Sequence, residues 1–539
     1  MTAPSAESPL ALQPSADGLR IGTGDDPPLP FRSSRTDRTI AALFGAAAIA
    51  ILAVSAATIG GWTLALGAAA AATLALLMRP TAGGPLFAAV LILNLPAIAV
   101  QYYGVPPIVA GGASGILFVP VAANVMRGRT LLVRTAALPW IFVYLLALIV
   151  STIASTATSE STANTIVFVE EGAVLYFLVT SAIRTQIDVR RVIWTVVLAG
   201  GLLGAISVSQ EARHAYGDNY FGLAQIQTGA IRVTGGSSAD RPRLAGPIGE
   251  TNRYAQVMLI LLPLGMFLVG IERRRSRRLL ALASSLAILA AIALTFSRGA
   301  IIVLAVLVVV MCVAGRLRWR TLIGVGIGLS LIASAAVPGF AERVDSLRGI
   351  AGLIDTGDST NAPDGAIVGR ATSNLAAVGT FIDHPIIGVG PGVYFLDYSR
   401  LYANRLGLRY FAENRRAHNM YLEIAADTGL FGLGAFLAIC SVTLLALRRA
   451  QQIAARRKDR AGADLASALF FAMLAFLGTG VFLHLSYERY FWFLIALANV
   501  VAVTVAAVEA RRVSLAPEVP AEGSGRMSAM TPAFVGGVR

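Results

Sequence analysis

Long apolar runs, each followed by a short basic or polar break, fill the chain from about residue 38 to residue 512. Nearly all are about 18–23 residues long, the length of α-helix that crosses a hydrocarbon layer of about 30 Å. The pattern predicts spans near 39–57, 61–78, 83–101, 107–126, 135–154, 166–183, 192–210, 254–271, 279–296, 300–315, 321–338, 428–447, 463–485 and 490–509. Residues 1–37 and 513–539 lack such runs and read as disordered tails. The first tail has no charged n-region, short h-region or cleavage site, so it is not a signal peptide. Two long polar intervals, about 211–253 and 339–427, interrupt the series. The expected fold is an all-α polytopic membrane protein of about 12–14 transmembrane helices.

Composition removes the soluble alternatives. Of 539 residues, 56% are hydrophobic and only 14% charged, against about 25% charged in a typical soluble domain. The formal charge of +14 would suggest a nucleic-acid partner in a soluble chain, but here the basic residues sit between apolar runs, where they orient a protein in the bilayer. With the N-terminus inside, Arg79, Arg127, Arg129, Arg134, the Arg273–Arg278 cluster and Arg448–Arg460 all fall in inner loops. The short outer connections hold only Arg298 and Arg489. Both termini are therefore expected inside and both long intervals outside. Cys312 and Cys440 lie in apolar runs with no Cys-x-x-Cys, which leaves neither a disulfide framework nor a zinc site.

The polar chemistry gathers where helices begin on the expected outer side. One cluster runs from Arg241 and Arg243 through Gly246 to Asn252 and Arg253. A second is the tight turn Ser297-Arg298-Gly299, and a third runs from His418-Asn419 through Tyr421, Glu423 and Asp427 to Gly429 and Gly432. A helix N-terminus exposes unpaired N–H groups and the positive end of its dipole, and an added arginine makes it a phosphate site. Ser297 is expected to cap its helix, and Gly299 to let an anion approach the backbone. Each residue also has a plainer reading. Arg298 could snorkel to headgroups, Asn252 and Asn419 could be ordinary caps, a lone loop histidine is more often structural, and Gly429 and Gly432 suit close helix packing. Glu170 and Glu171 sit inside a span and fit a structural partner for an arginine as well as a functional site.

Together, Arg243-x-x-Gly246 with Asn252, Ser297-Arg298-Gly299, and His418-Asn419-x-Tyr421-Leu422-Glu423 with Gly429 resemble the O-antigen ligase and O-antigen polymerase family. Arg370 and the run from Phe381 through Asp383-His384-Pro385 to Gly388, Gly390 and Gly392 resemble that family's long outer loop. The resemblance covers about residues 235–440. It implies a GT-C-like membrane glycosyltransferase in the bacterial plasma (inner) membrane. The implied donor is an undecaprenyl-diphosphate-linked glycan, with a glycan or lipid acceptor, no nucleic acid, and neither metal nor other cofactor. Carried over, Arg243 and Arg298 bind the diphosphate, His418 assists the acceptor hydroxyl, and Ser297, Gly299, Asn252, Asn419 and Arg370 support them.

No residue separates a ligase from a polymerase. Arginine outnumbers lysine so heavily (Lys458 is the single lysine) that a GC-rich genome is implied. That is compatible with a bacterium lacking lipopolysaccharide and leans toward a polymerase. The rival class is a transporter or lipid-linked oligosaccharide flippase. Against it, the two halves show no internal repeat, and the polar residues gather at a surface rather than the midplane.

Overall fold

The computed structural model describes residues 79–107, 112–126, 128–232, 238–317, 365–405, 416–484 and 489–515. The expected spans at 39–57, 61–78 and 321–338 lie outside these residues. The described residues of the other eleven lie largely in helix. The bent pair α1 (Gly83–Ile92) and α2 (Leu95–Tyr103) is followed by α3 (Phe118–Met126), α4 (Leu138–Ala154), α5 (Thr158–Ala182) and α6 (Gln186–Ala212). A β-hairpin, β1 (Gln225–Arg232) and β2 (Ser238–Gly246), leads into α7 (Thr251–Ile271), α8 (Arg275–Leu294) and α9 (Arg298–Val313). Helices α10 (Gly365–Asp383) and α11 (Ser399–Arg405) precede α12 (Met420–Arg456), α13 (Arg460–Thr479) and α14 (Arg489–Leu515). Among the described residues seven helices are long and apolar enough to cross a membrane, or eight if the bent pair counts as one span. Helices α4 and α9 are apolar but shorter, as is the 112–126 segment.

The fold is all-α and polytopic, with one feature that hydropathy does not show: residues 225–232 and 238–246 pair as antiparallel strands. In α5 the backbone widens to a π-helix over Val169–Val174, the turn that holds Glu170 and Glu171. Such π-bulges often accompany functional positions.

Packing follows the small residues. The run Gly200-Gly201-Leu-Leu-Gly204 brings α6 against α8 so closely that a Cβ on Gly204 would stand 2.4 Å from the Ala287 carbonyl oxygen. Membrane helices pack through van der Waals contact rather than a hydrophobic drive, so removing side chains at the crossing is what tightens it. At the centre, Tyr144, Phe168, Phe436, Phe491 and Trp492 are fully buried. The Phe168 and Trp492 rings meet edge to face at 5.1 Å. At one end of the bundle, Arg190 pairs with Glu272, Arg316 with Asp464 at 3.7 Å and Arg457 with Glu509 at 3.5 Å. The candidate chemistry lies at the other end.

Candidate functional site

Arg243 lies on β2, opposite Gln227 of β1. The hairpin thereby reaches two helix ends at once. The Gln227 side-chain oxygen accepts hydrogen bonds from the Thr251 amide (3.2 Å) and hydroxyl (2.8 Å), at the start of α7. Arg243 donates from Nε and Nη2 to the Thr295 carbonyl at 3.2 and 3.0 Å, and from Nη2 to Phe296 at 3.4 Å. Those carbonyls close the end of α8, where a helix leaves acceptors unpaired. Arg243 thereby fixes the turn that precedes Arg298. Phe296 in that turn takes a left-handed conformation, φ 52°.

Two expectations about the turn are corrected. Ser297 is the N-cap residue of α9, but its side chain makes no capping bond. Its hydroxyl donates instead to the Asn252 side-chain oxygen at 2.9 Å, which ties the start of α9 to the start of α7. Asn252 is likewise no cap, because it lies inside α7, behind the N-cap position of Glu250. Gly299 does not leave open space for an anion. A Cβ there would meet the Phe482 ring at 3.0–3.2 Å, so the glycine admits Phe482. Arg298 is the first residue of α9 and is half-buried.

The next residue of α7, Arg253, carries the connection onward. Its Nε pairs with Glu250 at 2.5 Å, and its Nη2 donates to His484 Nε2 at 2.8 Å. The His484 ring meets the His418 ring edge to face, with centroids 5.6 Å apart. A guanidinium only donates, so His484 Nε2 must accept and the neutral ring carries its proton on Nδ1. That Nδ1 is buried without a hydrogen-bond partner. Burial, and after it the charges of Arg416 and Arg253 and the His418 ring, push the His484 pKa down to about 2. His484 is thus a fixed neutral donor beside His418. Sequence reading missed it because it counted His484 within the apolar run 463–485, whereas α13 ends at Thr479.

His418 sits in a left-handed turn, φ 51°. Asn419 behind it is a true cap, accepting from the Tyr421 and Leu422 amides at 3.0 and 3.2 Å. The Met420 amide donates to the Gly480 carbonyl at 2.8 Å, and the Tyr421 hydroxyl to Leu477 at 2.7 Å, so α12 and α13 hold the turn together. Buried Glu423 accepts from the Ala417 amide (3.2 Å) and from Arg416 (3.1 Å), fixing the approach to His418. The Arg416 guanidinium also lies over the Phe395 ring at 4.6 Å.

Helix α12 is broken at Gly429, φ 64° and ψ −164°. The segment Pro385–Gly392 lies across the break and replaces what it loses. Leu430 and Phe431 donate to Pro385 and Ile386 at 2.8 and 3.2 Å, while Val389 and Gly390 donate to Ala426 and Asp427 at 3.1 and 2.8 Å. The Asp427 carboxylate accepts the Gly392 and Tyr394 amides at 3.0 and 3.1 Å. Interrupted backbone inside a membrane protein persists when neighbours restore its hydrogen bonds in this way. Arg370, half-buried on α10, belongs to the body that this segment joins to α12.

Arg489 is not a loose surface arginine. It donates to the Asn94 side chain at 2.5 Å and pairs with Glu171 at 3.6 Å, binding the α1–α2 kink and the π-turn of α5 to α14. Of the two span acids, Glu171 thus has a structural partner.

Residues 283–437 match the family model described as O-antigen ligase. The matched stretch holds Ser297-Arg298-Gly299, the 381–392 run and the His418 turn, and stops short of Arg243, Asn252 and Arg253. No curated protein matches the chain.

Proposed function

We propose, from the premise of an O-antigen ligase-type domain in a multi-pass membrane enzyme, that the protein transfers a glycan from a polyprenyl diphosphate to an acceptor hydroxyl. The reaction takes place on the outer side of the bacterial plasma membrane. The observation that supports this reading is the continuous set of contacts from the Arg298 turn through Ser297, Asn252, Arg253 and His484 to His418. Three sequence-distant helix starts with cationic and imidazole groups converge, as an anionic leaving group and a neutral nucleophile require.

In the proposed reaction the acceptor oxygen attacks the anomeric carbon as the carbon–oxygen bond to the diphosphate breaks. Arg298 holds the departing diphosphate, and Arg243, fixed beside that turn by Thr295 and Phe296, adds its positive charge. Charge grows on that group as the bond breaks, so an arginine there binds the transition state more tightly than the substrate. His418 accepts the hydroxyl proton. Its neighbours Arg253 and His484 orient the imidazole, and Ser297 and Asn419 set the turns that carry Arg298 and His418. The body formed by α10, α11 and Pro385–Gly392 would exclude water, which would otherwise hydrolyse the donor.

The test is reconstitution. Purified protein in nanodiscs, given an undecaprenyl-diphosphate-linked oligosaccharide and a glycan acceptor, is expected to yield acceptor-linked product and free lipid diphosphate. Movement of the donor between leaflets with no product would replace the reading with a flippase. Orientation is checked separately: a reporter fused after Arg320 should read cytoplasmic and one within 355–365 outside, and reversal at either would turn the site inward.

A further inference from the structure

Helix α10 has two faces, and the more apolar one is turned away from the protein. Thr372, Ser373, Ala376, Ala377 and Thr380 are buried on the side packed against α11 and α12. On the opposite side Ala371, Leu375, Val378 and Ile382 recur at steps of three and four residues, which is one stripe of a helix. Leu375 is 52% exposed and Ile382 66%. A helix bathed in water has the reverse arrangement, with its large apolar side chains turned to the core. Yet α10 is not among the seven helices long and apolar enough to cross a membrane.

The chain just beyond α10 fixes its level. Asp383 ends the helix, and two residues later the Pro385 carbonyl accepts from the Leu430 amide at 2.8 Å. Two residues reach about 7 Å at most. Ile386, 71% exposed, follows, and its carbonyl accepts from Phe431 at 3.2 Å. Leu430 heads the exposed stripe of α12, which continues through Leu437 and Leu445, the side that a spanning helix turns to lipid. The outward stripe of α10 therefore runs on, through Ile386, from a surface that already faces acyl chains. A covering protein would explain an exposed stripe but not that junction. An amphipathic helix too polar to span lies in the plane of the interface, its apolar face about 5–10 Å into the boundary between headgroups and acyl chains. We propose that α10 is such an interfacial helix, with Leu375, Val378 and Ile382 set into the leaflet beside α12. The 365–405 body is then seated on lipid instead of standing free in water. This holds whether or not the protein is a transferase, and on whichever side of the membrane the body lies.

Spin labelling tests it on the full chain in liposomes of phosphatidylethanolamine and phosphatidylglycerol. Nitroxides are attached singly at Leu375→Cys and Ile382→Cys, in a background carrying Cys312→Ala and Cys440→Ala, both native thiols being buried. Leu437→Cys on α12 serves as the acyl-chain reference, and Asn219→Cys, exposed in the loop after α6, as the water reference. Power saturation compares collisions with oxygen, which concentrates among acyl chains, and with a nickel chelate, which stays in water. At both α10 positions the ratio of oxygen to nickel collisions should exceed that at Asn219 several-fold and approach that at Leu437. Size-exclusion profiles check that each variant is folded, and two label sites two turns apart guard against failure of either one. A ratio equal to that at Asn219 would put the stripe in water and overturn the proposal. Shielding from both reagents would overturn it too, since protein, either another part of this chain or a second copy, would then cover the stripe.

Discussion

Substituting Gly429 by alanine is expected to unfasten the break in α12. At φ 64° and ψ −164° the backbone occupies a region open in practice only to glycine, and a side chain held there costs about 1–3 kcal/mol. A Cβ would also stand 2.3 Å from both the carbonyl carbon and oxygen of Ile386, an overlap that backbone cannot absorb without moving. Moving Ile386 releases the Leu430 and Phe431 amides from their carbonyls at 2.8 and 3.2 Å. Each buried amide left unsatisfied costs a further 1–3 kcal/mol or so. Strain and two amides together come to about 3–9 kcal/mol, concentrated at the break. Hydrogen exchange by mass spectrometry on a peptide spanning 420–436 reads this directly, because about 1.4 kcal/mol corresponds to a tenfold change in opening. Exchange at Leu430 and Phe431 should accelerate by at least about a hundredfold, with transferase activity falling in parallel. Gly434 is the control, since a Cβ there meets nothing within 4 Å and alanine should be neutral. Unchanged protection and activity in Gly429→Ala, with Gly434→Ala equally silent, would refute the idea that the crossing segment holds the break.

The two arginines of the proposed diphosphate site should separate by assay. Arg298→Lys should lose most turnover with little change in melting temperature, because lysine keeps charge but not the two-donor fork. Arg243→Lys should lower both, having given up bonds to Thr295 and Phe296; identical behaviour of the pair would contradict their different settings. Arg489→Lys should lower stability by about 1–2 kcal/mol through the lost link to Asn94 and Glu171, and a melting temperature equal to wild type would show that link to be idle. His484 predicts a pH effect of fixed sign. Its folded pKa lies below the unfolded value of about 6.5, so its contribution is complete above that pH and is lost as pH falls from there toward about 2. The slope is at most about 1.4 kcal/mol per pH unit. His484→Gln should flatten the melting curve between pH 7 and 4.5, and an unaltered slope would assign it to other groups.

Much of the helical frame was legible because a bilayer imposes one length on every crossing run. Asn419 was legible as a cap because the N-cap needs only its own side chain and the next turn. What escaped shares one physical cause, dependence on partners far along the chain. The bond between Arg489 and Asn94 joins residues 395 positions apart, so nothing near Arg489 in the sequence points to its partner. Ser297 looked like a cap because a serine before a helix usually is one, and only Asn252 across the site reveals its different use. The hairpin was hidden by its polar, glycine-containing strands, which carry no apolar stripe for a periodicity to find. Gly299 was read as room for a ligand, whereas a glycine marks only close approach, and here the approaching group is Phe482.

The crossing at Gly429 also decides which part of the protein His418 moves with. Residues 420–428 are bonded laterally to Pro385–Gly392 and, through Met420, to the end of α13, while the helix beyond Gly429 continues toward the far end of the bundle. Mechanically, the His418 turn is therefore clamped between the 365–405 body and the end of α13 rather than carried as the tip of a transmembrane rod. Tilting or sliding the lower part of α12, as a thicker or thinner bilayer would demand, can be taken up at the glycine without being transmitted to the imidazole.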